Sequence, residues 1–310
     1  MKVEVIVLNY NGGELFIECL SSLVESVKRS RHACKLVILD NLSADGSDRE
    51  AEKKFPIVEV VRASANRVLC SYNDYLYQSK CDIALLLNND IRVDKNFIDP
   101  LIDPIEKNSE IFMVTPKCLS FEGSRYEGGR CQSRIKFGLF WSACIFPGYE
   151  REMNHPNLTM AAGFGAFDRK KFLELGGYDD LYLPGRLEDN DICFRAWRRG
   201  WKCLYEPKSV VYHKGASSFN KAFGVNKTLV LGHRNSFLFL WKNIRDTGYL
   251  LEHILFVIPR VLFACVMGKC ELAMGFGEAL GLFKQAWAKR RESRIEKSLR
   301  SDREIFGLVK

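Results

Sequence analysis

At 310 residues the chain exceeds the usual size of one domain, so one large α/β domain with an appendage, or two domains, is expected. Hydrophobic residues at 47% and charged ones at 27% exclude a disordered or collagen-like chain. The net charge of +8 points to an anionic partner, which leaves nucleic acid, a membrane face or a phosphate-bearing substrate, to be told apart by where the charge lies.

The chain opens with Val3-Glu4-Val5-Ile6-Val7-Leu8, a strand-like run with no secretory signal expected ahead of it. The eleven cysteines are placed singly, without a Cys-x-x-Cys pair, which predicts a reducing, cytoplasmic setting. Any metal is then left to oxygen and imidazole ligands, which suits magnesium or manganese. Asn9-Tyr10-Asn11-Gly12-Gly13 ends the first strand, and Leu15, Ile17, Cys19, Leu20, Leu23 and Val24 follow with helical spacing. Leu36-Val37-Ile38-Leu39 is a second buried strand ending in Asp40-Asn41, and Ser43-Ala44-Asp45-Gly46-Ser47 supplies a turn and a helix cap. Val58 to Val61 gives a third strand, Ser71 to Gln78 a helix, and Ile83 to Leu87 a fourth, almost wholly apolar strand. A parallel sheet covered on both faces follows. Ligands of such sheets sit beyond the carboxyl ends of the strands, where Asn9 to Asn11, Asp40 and Asn88-Asn89-Asp90 all fall.

Beyond Lys95 the alternation becomes less regular, which predicts a smaller, mixed-sheet half with strands at 163–167 and 208–213. Asn190 to Gly200 carries Ile192, Phe194, Ala196 and Trp197 on a helix that Gly200 ends. From Leu229 to Met267 the chain is apolar, but Lys242, Arg245, Asp246, Glu252, Pro259 and Arg260 interrupt it. No uncharged span reaches the roughly 20 residues of a transmembrane helix, so helices lying on a bilayer or packed on the domain are expected. Lys284, Lys289, Arg290, Arg291, Arg294, Lys297, Arg300 and Arg303 crowd the C-terminal tail beside Phe283, Trp287, Ile295 and Leu299. That pattern predicts a helix for an anionic membrane surface, and without a nucleic-acid motif no nucleic-acid partner is expected.

Three segments carry chemistry-bearing residues. Asn88-Asn89-Asp90 is either a strand-ending turn or, through its one carboxylate, a holder of a hard cation bridging phosphates. Leu187-Glu188-Asp189-Asn190-Asp191 places three acids at a helix start, more than capping needs, and a carboxylate fixed there suits removal of a proton from an attacking hydroxyl. His213 leaves a strand just before Lys214-Gly215-Ala216-Ser217-Ser218, where an imidazole suits a metal shell or a phosphate. Neither Gly-x-Gly-x-x-Gly after the first strand nor a Walker lysine motif occurs, which argues against dinucleotide oxidoreductases and P-loop enzymes.

Taken in order, Val7 to Gly13, Val37 to Ser47, Leu86 to Asp90, Gly163 to Arg169, Gly176-Gly177-Tyr178-Asp179, Glu188 to Asp191, and His213 with Gly215 and Ser217 resemble glycosyltransferase family 2, particularly its rhamnosyltransferase-like members. Coverage is roughly residues 3 to 220, and ordered co-occurrence makes the match specific. The resemblance implies a GT-A-type, Rossmann-like, mostly parallel sheet flanked by helices. Residues 1–225 would form the catalytic domain, with a nucleotide-sugar half over about 1–95 and an acceptor half over 96–225, and 226–310 an amphipathic, basic, membrane-associating tail. It further implies that Asn9, Asn11, Asp40, Asn73 and Asn89 bind the nucleotide sugar, that Asp90 and His213 hold Mg2+ or Mn2+, and that Asp189 is the general base with Glu188 beside it. The implied reaction is inverting transfer of rhamnose or another hexose from dTDP-rhamnose or a UDP-sugar to a saccharide or lipid-linked acceptor. Its setting would be cell-surface polysaccharide synthesis at the inner face of the membrane. The segment Asn66-Arg67-Val68-Leu69-Cys70-Ser71-Tyr72-Asn73 lacks the family's glycines, and Asp168 stands where the family is apolar or small. The altered Asn66 to Asn73 segment keeps a degenerate GT-A-fold nucleotide-binding or scaffolding protein as the alternative.

Overall fold

A computed structural model describes residues 1–161, 163–214, 223–293 and 298–310. Gly215 and Ser217 of the loop after His213, and Arg294, Ile295 and Lys297 of the basic tail, lie outside the described residues. The first half runs β1 (Val3–Asn9), α1 (Gly13–Arg29), β2 (Cys34–Asp40), α2 (Ser47–Lys54), β3 (Glu59–Arg62), α3 (Ser71–Gln78) and β4 (Ile83–Asn88). There follow β5 (Ile91–Val93), α4 (Asp99–Lys107), β6 (Ile111–Ser120), β7 (Tyr126–Gly128), β8 (Gln132–Lys136), β9 (Leu139–Ala143), α5 (Tyr149–Glu152) and β10 (Asn157–Leu158). The elements β11 (Gly165–Asp168), α6 (Arg169–Glu174), α7 (Glu188–Arg198) and β12 (Lys202–His213) precede the C-terminal helices. These are α8 (Val225–Asn243), α9 (Thr247–Val266), α10 (Cys270–Gly281), α11 (Phe283–Glu292) and α12 (Asp302–Leu308).

Strands β3, β2, β1 and β4 are neighbours and parallel, because each is joined to the next by a helix that must cross a face of the sheet. β11 runs antiparallel to both β4 and β6, and β6 pairs in parallel with β12. Alternating side chains feed two cores: Val3, Val5 and Val7 join Phe16 and Leu20 of α1 on one face, while Ile6 and Leu8 join Tyr72 of α3 on the other. The register sets Asn9 opposite Asp40 and Leu8 opposite Asn88, so three strand ends reach one edge together. This is a GT-A fold.

The second core does not stop at residue 225. Phe237, Leu238, Phe239 and Leu240 of α8 and Ile305 and Phe306 of α12 are buried in it together with Phe194 and Trp197 of α7. Much of the basic tail, expected to face a membrane, is folded back onto the protein. Lys289 pairs with Asp179 at 2.7 Å and Asp180 at 2.8 Å. Arg290 is buried and donates to the carbonyls of Trp241 and Ile244 at 3.0 and 2.5 Å, and Arg303 pairs with Asp246 at 2.7 Å. Two cysteines read as single thiols, Cys131 and Cys144, are joined as a disulfide across the base of the β8–β9 hairpin. That loop-closing pair has no spacing signature in the sequence.

Candidate active site

The loops after β1 and β2 are held together by a buried polar lattice. Asn9 Nδ2 lies 3.1 Å from Asp40 Oδ1, 3.1 Å from Ser43 Oγ and 3.0 Å from Ser47 Oγ. Asp40 Oδ2 accepts from the Ser43 amide at 3.0 Å, and Asn89 Nδ2 donates to Asn9 Oδ1 at 2.9 Å. Asn11 Oδ1 accepts from the Ala44 amide at 2.8 Å. Buried polar groups demand such partners, so Asn9 and Asp40 brace the loop from beneath instead of lining its surface. Exposed Asn11 and half-buried Asn89 stand at the rim. Gly12 has to be small: a Cβ there would fall 2.6 Å from Asn9 Oδ1, Asn89 Nδ2 and Phe16 Cβ.

Asp90 leaves β4 at the same edge. β5 pairs antiparallel with the end of β12, which sets His213 opposite Ile91, and the Lys214 amide donates to the Asp90 carbonyl at 3.1 Å. Asp90 Oδ1 consequently lies 3.6 Å from His213 Nε2. The other ring nitrogen, Nδ1, lies 3.5 Å from Glu127 Oε2, at the short strand β7. Burial disfavours the charged imidazole, but Asp90 and Glu127 outweigh it and hold the His213 pKa above its ordinary value. A carboxylate and an imidazole facing each other, with a second carboxylate behind the ring, form a donor set that fits a hard divalent cation. Cys118 Sγ is within 4.8 Å of the Glu127 and His213 ligand atoms, but burial, followed by Glu127, pushes its pKa far up, so it stays a thiol. Glu127 was not singled out from the sequence. Its only signal there was the charge-rich stretch Glu122 to Gly129.

The acid cluster at the start of α7 separates into distinct roles. Asp191 is fully buried: Oδ1 accepts from Lys242 Nζ at 2.7 Å, Asn243 Nδ2 at 2.8 Å and the Tyr182 hydroxyl at 2.9 Å, while Oδ2 accepts from Arg195 Nε at 2.7 Å. Burial alone would raise its pKa, but Arg195 and Lys242 pull it below the usual range, which marks a structural ion. Asn190 Nδ2 donates to the Met160 carbonyl at 2.6 Å and to Ser142 Oγ at 3.1 Å. Asp189 Oδ1 accepts from the Asn190 amide at 2.8 Å and is half-buried. Glu188 Oε2 has no hydrogen-bond partner among the described residues. Burial, then the adjacent Asp189 charge, pushes its pKa up to about 8.

The loop leading into α7 is strained and clamped. Arg186 and Leu187 have φ of 79° and 69°, a region costly for residues with a side chain. Asn235 Nδ2 of α8 lies 3.1, 2.8 and 2.7 Å from the carbonyls of Tyr182, Gly185 and Arg186, and Arg234 Nη2 donates to the Leu183 carbonyl at 2.6 Å. Asn73 stands apart from these groups: its amide is spent on the backbone of Tyr178, accepting from N at 2.9 Å and donating to O at 2.8 Å. Asp168 caps α6 by accepting from the Lys171 amide at 3.0 Å, which explains the polar residue there.

A model of the family "Glycosyl transferase family 2" matches residues 4–176. A putative polypeptide N-acetylgalactosaminyltransferase 10 of Drosophila melanogaster is 27% identical over 194 residues, 58% of this chain and 31% of that protein. The chain thus spans about a third of the length of that relative. The N-acetylglucosaminyl-diphospho-decaprenol L-rhamnosyltransferase of Mycobacterium tuberculosis is 23% identical over 260 residues, 76% of this chain and 83% of that one. Among solved structures, GalNAc-T7 with UDP, GalNAc and Mn2+ aligns with a TM-score of 0.59 at 21% identity, covering 80% of this chain and 49% of that one. The mannosyltransferase PcManGT of Pyrobaculum calidifontis, in complex with GDP-Man and Mn2+, aligns with a TM-score of 0.54 at 15% identity, covering 94% and 84%. At these identities the structural matches establish the shared fold. With its family model covering more than half of the residues, the chain belongs to glycosyl transferase family 2.

Proposed function

We propose that this transferase moves a deoxyhexose or hexose, rhamnose first, with inversion from a nucleoside-diphosphate sugar to a lipid-linked saccharide in cell-surface polysaccharide synthesis. The observation that carries the reading is the 3.6 Å approach of Asp90 and His213 at the strand edge that also bears the Asn9–Asp40 lattice. Asp90 and His213 would hold a Mg2+ or Mn2+ ion, which when bound would supply positive charge against the departing diphosphate. Asp189 takes the proton of the acceptor hydroxyl as its oxygen bonds to the anomeric carbon and the bond to the diphosphate oxygen breaks. Inversion follows from that single displacement. Glu188, with its raised pKa, stays protonated near neutrality and leaves the base role to Asp189. Asn11 and Asn89 are the polar side chains of the lattice available to the donor.

Rhamnose and the lipid diphosphate acceptor rest on the name of the mycobacterial relative, which matches most of both chains. The test is nucleoside diphosphate release from a panel of nucleotide sugars, dTDP-rhamnose included, with Mn2+ or Mg2+. Asp189→Asn is expected to lower turnover by about 10²–10⁴-fold while nucleotide binding persists. Asp90→Ala is expected to abolish metal-dependent nucleotide binding. Turnover unchanged in Asp189→Asn would remove that residue as base, and no release from any donor would leave the nucleotide-binding or scaffolding alternative.

A further inference from the structure

Helix α9 is built inside out. Leu251, Ile254, Leu255, Ile258, Leu262, Phe263 and Val266 recur at helical spacing and are exposed, Leu255 by 68% and Val266 by 83%. The polar groups of the same helix point the other way, into the β8–β9 hairpin. Glu252 Oε1 accepts from the Gly138 amide at 2.9 Å, His253 Nδ1 lies 2.6 Å from the Gly138 carbonyl, and Arg260 Nη1 donates to the carbonyls of Lys136 and Phe137 at 3.0 and 3.1 Å. The fit is close enough that a Cβ on Gly138 would fall 2.8 Å from His253 Cα. The hairpin turn adds exposed Phe137, whose ring packs 5.9 Å from that of Phe256. Exposed apolar side chains gathered along one helix in this number mark an interaction surface, since soluble proteins usually keep such residues scattered.

By length and composition α9 is also able to cross a membrane. Its attachment argues against that: Glu252 and Arg260, about two turns apart, are both bonded to one folded hairpin that carries exposed Arg134 and Lys136. The helix therefore lies flat against the protein with one long side bare. Exposed cations lie on the hairpin that holds α9 and at its end, Arg134 and Lys136 on β8 and Lys269 just past the last turn. A two-fold pairing of copies through this face would bring those like charges together, whereas anionic headgroups complement them.

We propose that the outer face of α9, with Phe137, is seated in the interface of an anionic bilayer, and that the β8–β9 hairpin spans from that surface to the catalytic helix. Phe137 is at one end of the hairpin, and Ser142, five residues on, accepts from Asn190 beside Asp189. At about 3.3 Å per residue the two are some 17 Å apart, a distance suited to a lipid-borne acceptor whose diphosphate and first sugar project from the membrane. The surface deepens the reading of a lipid-linked acceptor and rests on it for its purpose. It also places the membrane contact, within the tail 226–310, on the apolar helix α9 and not on the basic stretch that follows it.

The full chain is to be sedimented with vesicles of phosphatidylglycerol and phosphatidylcholine, without donor, so that failure of binding is distinguishable from failure of transfer. Wild type is expected to partition to the anionic vesicles, and Ile258→Glu with Leu262→Glu to bind at least about tenfold more weakly at unchanged thermal stability, because both side chains are exposed. Leu255→Trp is expected to show a blue-shifted emission with vesicles that brominated acyl chains quench. The proposal is overturned if the double variant binds as wild type, if binding is lost only to charge reversal at Lys284 and Arg291, or if the double variant merely converts a dimer into a monomer.

Discussion

At the scale of single residues, Glu188 and Asp189 are adjacent acids in different surroundings, Glu188 without a hydrogen-bond partner for Oε2 among the described residues and Asp189 accepting from the Asn190 amide. Burial and the neighbouring carboxylate raise the Glu188 pKa to about 8, against an ordinary value of 4.5. A carboxyl group whose pKa is raised on folding contributes stability that is fully present below pH 4.5 and is lost as pH climbs towards 8. Wild type is therefore expected to lose melting temperature relative to Glu188→Gln between pH 4.5 and 8, with the difference levelling above that. Parallel thermal melts over pH 4–9 measure it, and a constant difference would mean that Glu188 ionises normally. Legibility at this scale divides by chemistry. Asp90, His213, Glu188 and Asp189 were readable because each is a titratable group where a strand ends or a helix starts. The acid run did not show that Asp191 is a structural ion, because its partners Lys242 and Asn243 lie some fifty residues away. Nor did Asn9 and Asp40 reveal that they brace a loop, since residue type alone does not tell a buried amide from a ligand.

Among the elements, α8 does what its composition did not announce. Its apolar run reads equally as a membrane-associated or a packed helix, and the structure packs it, with Arg234 and Asn235 gripping the carbonyls of the loop 182–187 and Lys242 and Asn243 gripping Asp191. The four parallel strands were legible because short apolar runs broken by turn residues have few other solutions. The partner of each helix was not, because it depends on contacts distant in sequence. Asn235→Ala removes the group that holds three carbonyls and two left-handed residues in place. Buried carbonyls left without donors cost about 1–3 kcal/mol each, partly relieved by water. The variant is expected to be destabilised by about 2 kcal/mol or more in a denaturant titration. Its kcat should fall more than its affinity for donor, because the loop leads into the proposed base, Asp189 on α7, and not into the proposed nucleotide site. Equal loss of both would place the effect elsewhere.

For the molecule as a whole, the extent of the family match and the extent of the cooperative fold differ. The match ends at residue 176, and an appended tail from 226 was expected. The buried side chains of the tail belong instead to the core that α7 closes. Phe237, Leu238, Phe239, Leu240, Ile305, Phe306 and Val309 are all within 1% of complete burial. At about 1.5–3 kcal/mol for each such side chain, they contribute on the order of 10–20 kcal/mol. That is comparable to the whole net stability of a typical domain, about 5–15 kcal/mol. The ion pair of Arg198 on α7 with Asp302 at the start of α12, and of Lys242 with Asp179 at 2.6 Å, tie the same parts together through charges that would be costly to leave buried alone. A chain ending at residue 224 is therefore expected to be insoluble or to unfold without a cooperative transition, even though it retains every residue assigned to donor and metal. Replacing Ile258 and Leu262 in the full chain should leave the transition intact, because the outer face of α9 contributes nothing to that core. Calorimetry of both proteins separates the two roles of the tail, and a sharp, near-native melt of the shortened chain would show that the catalytic unit is complete without it.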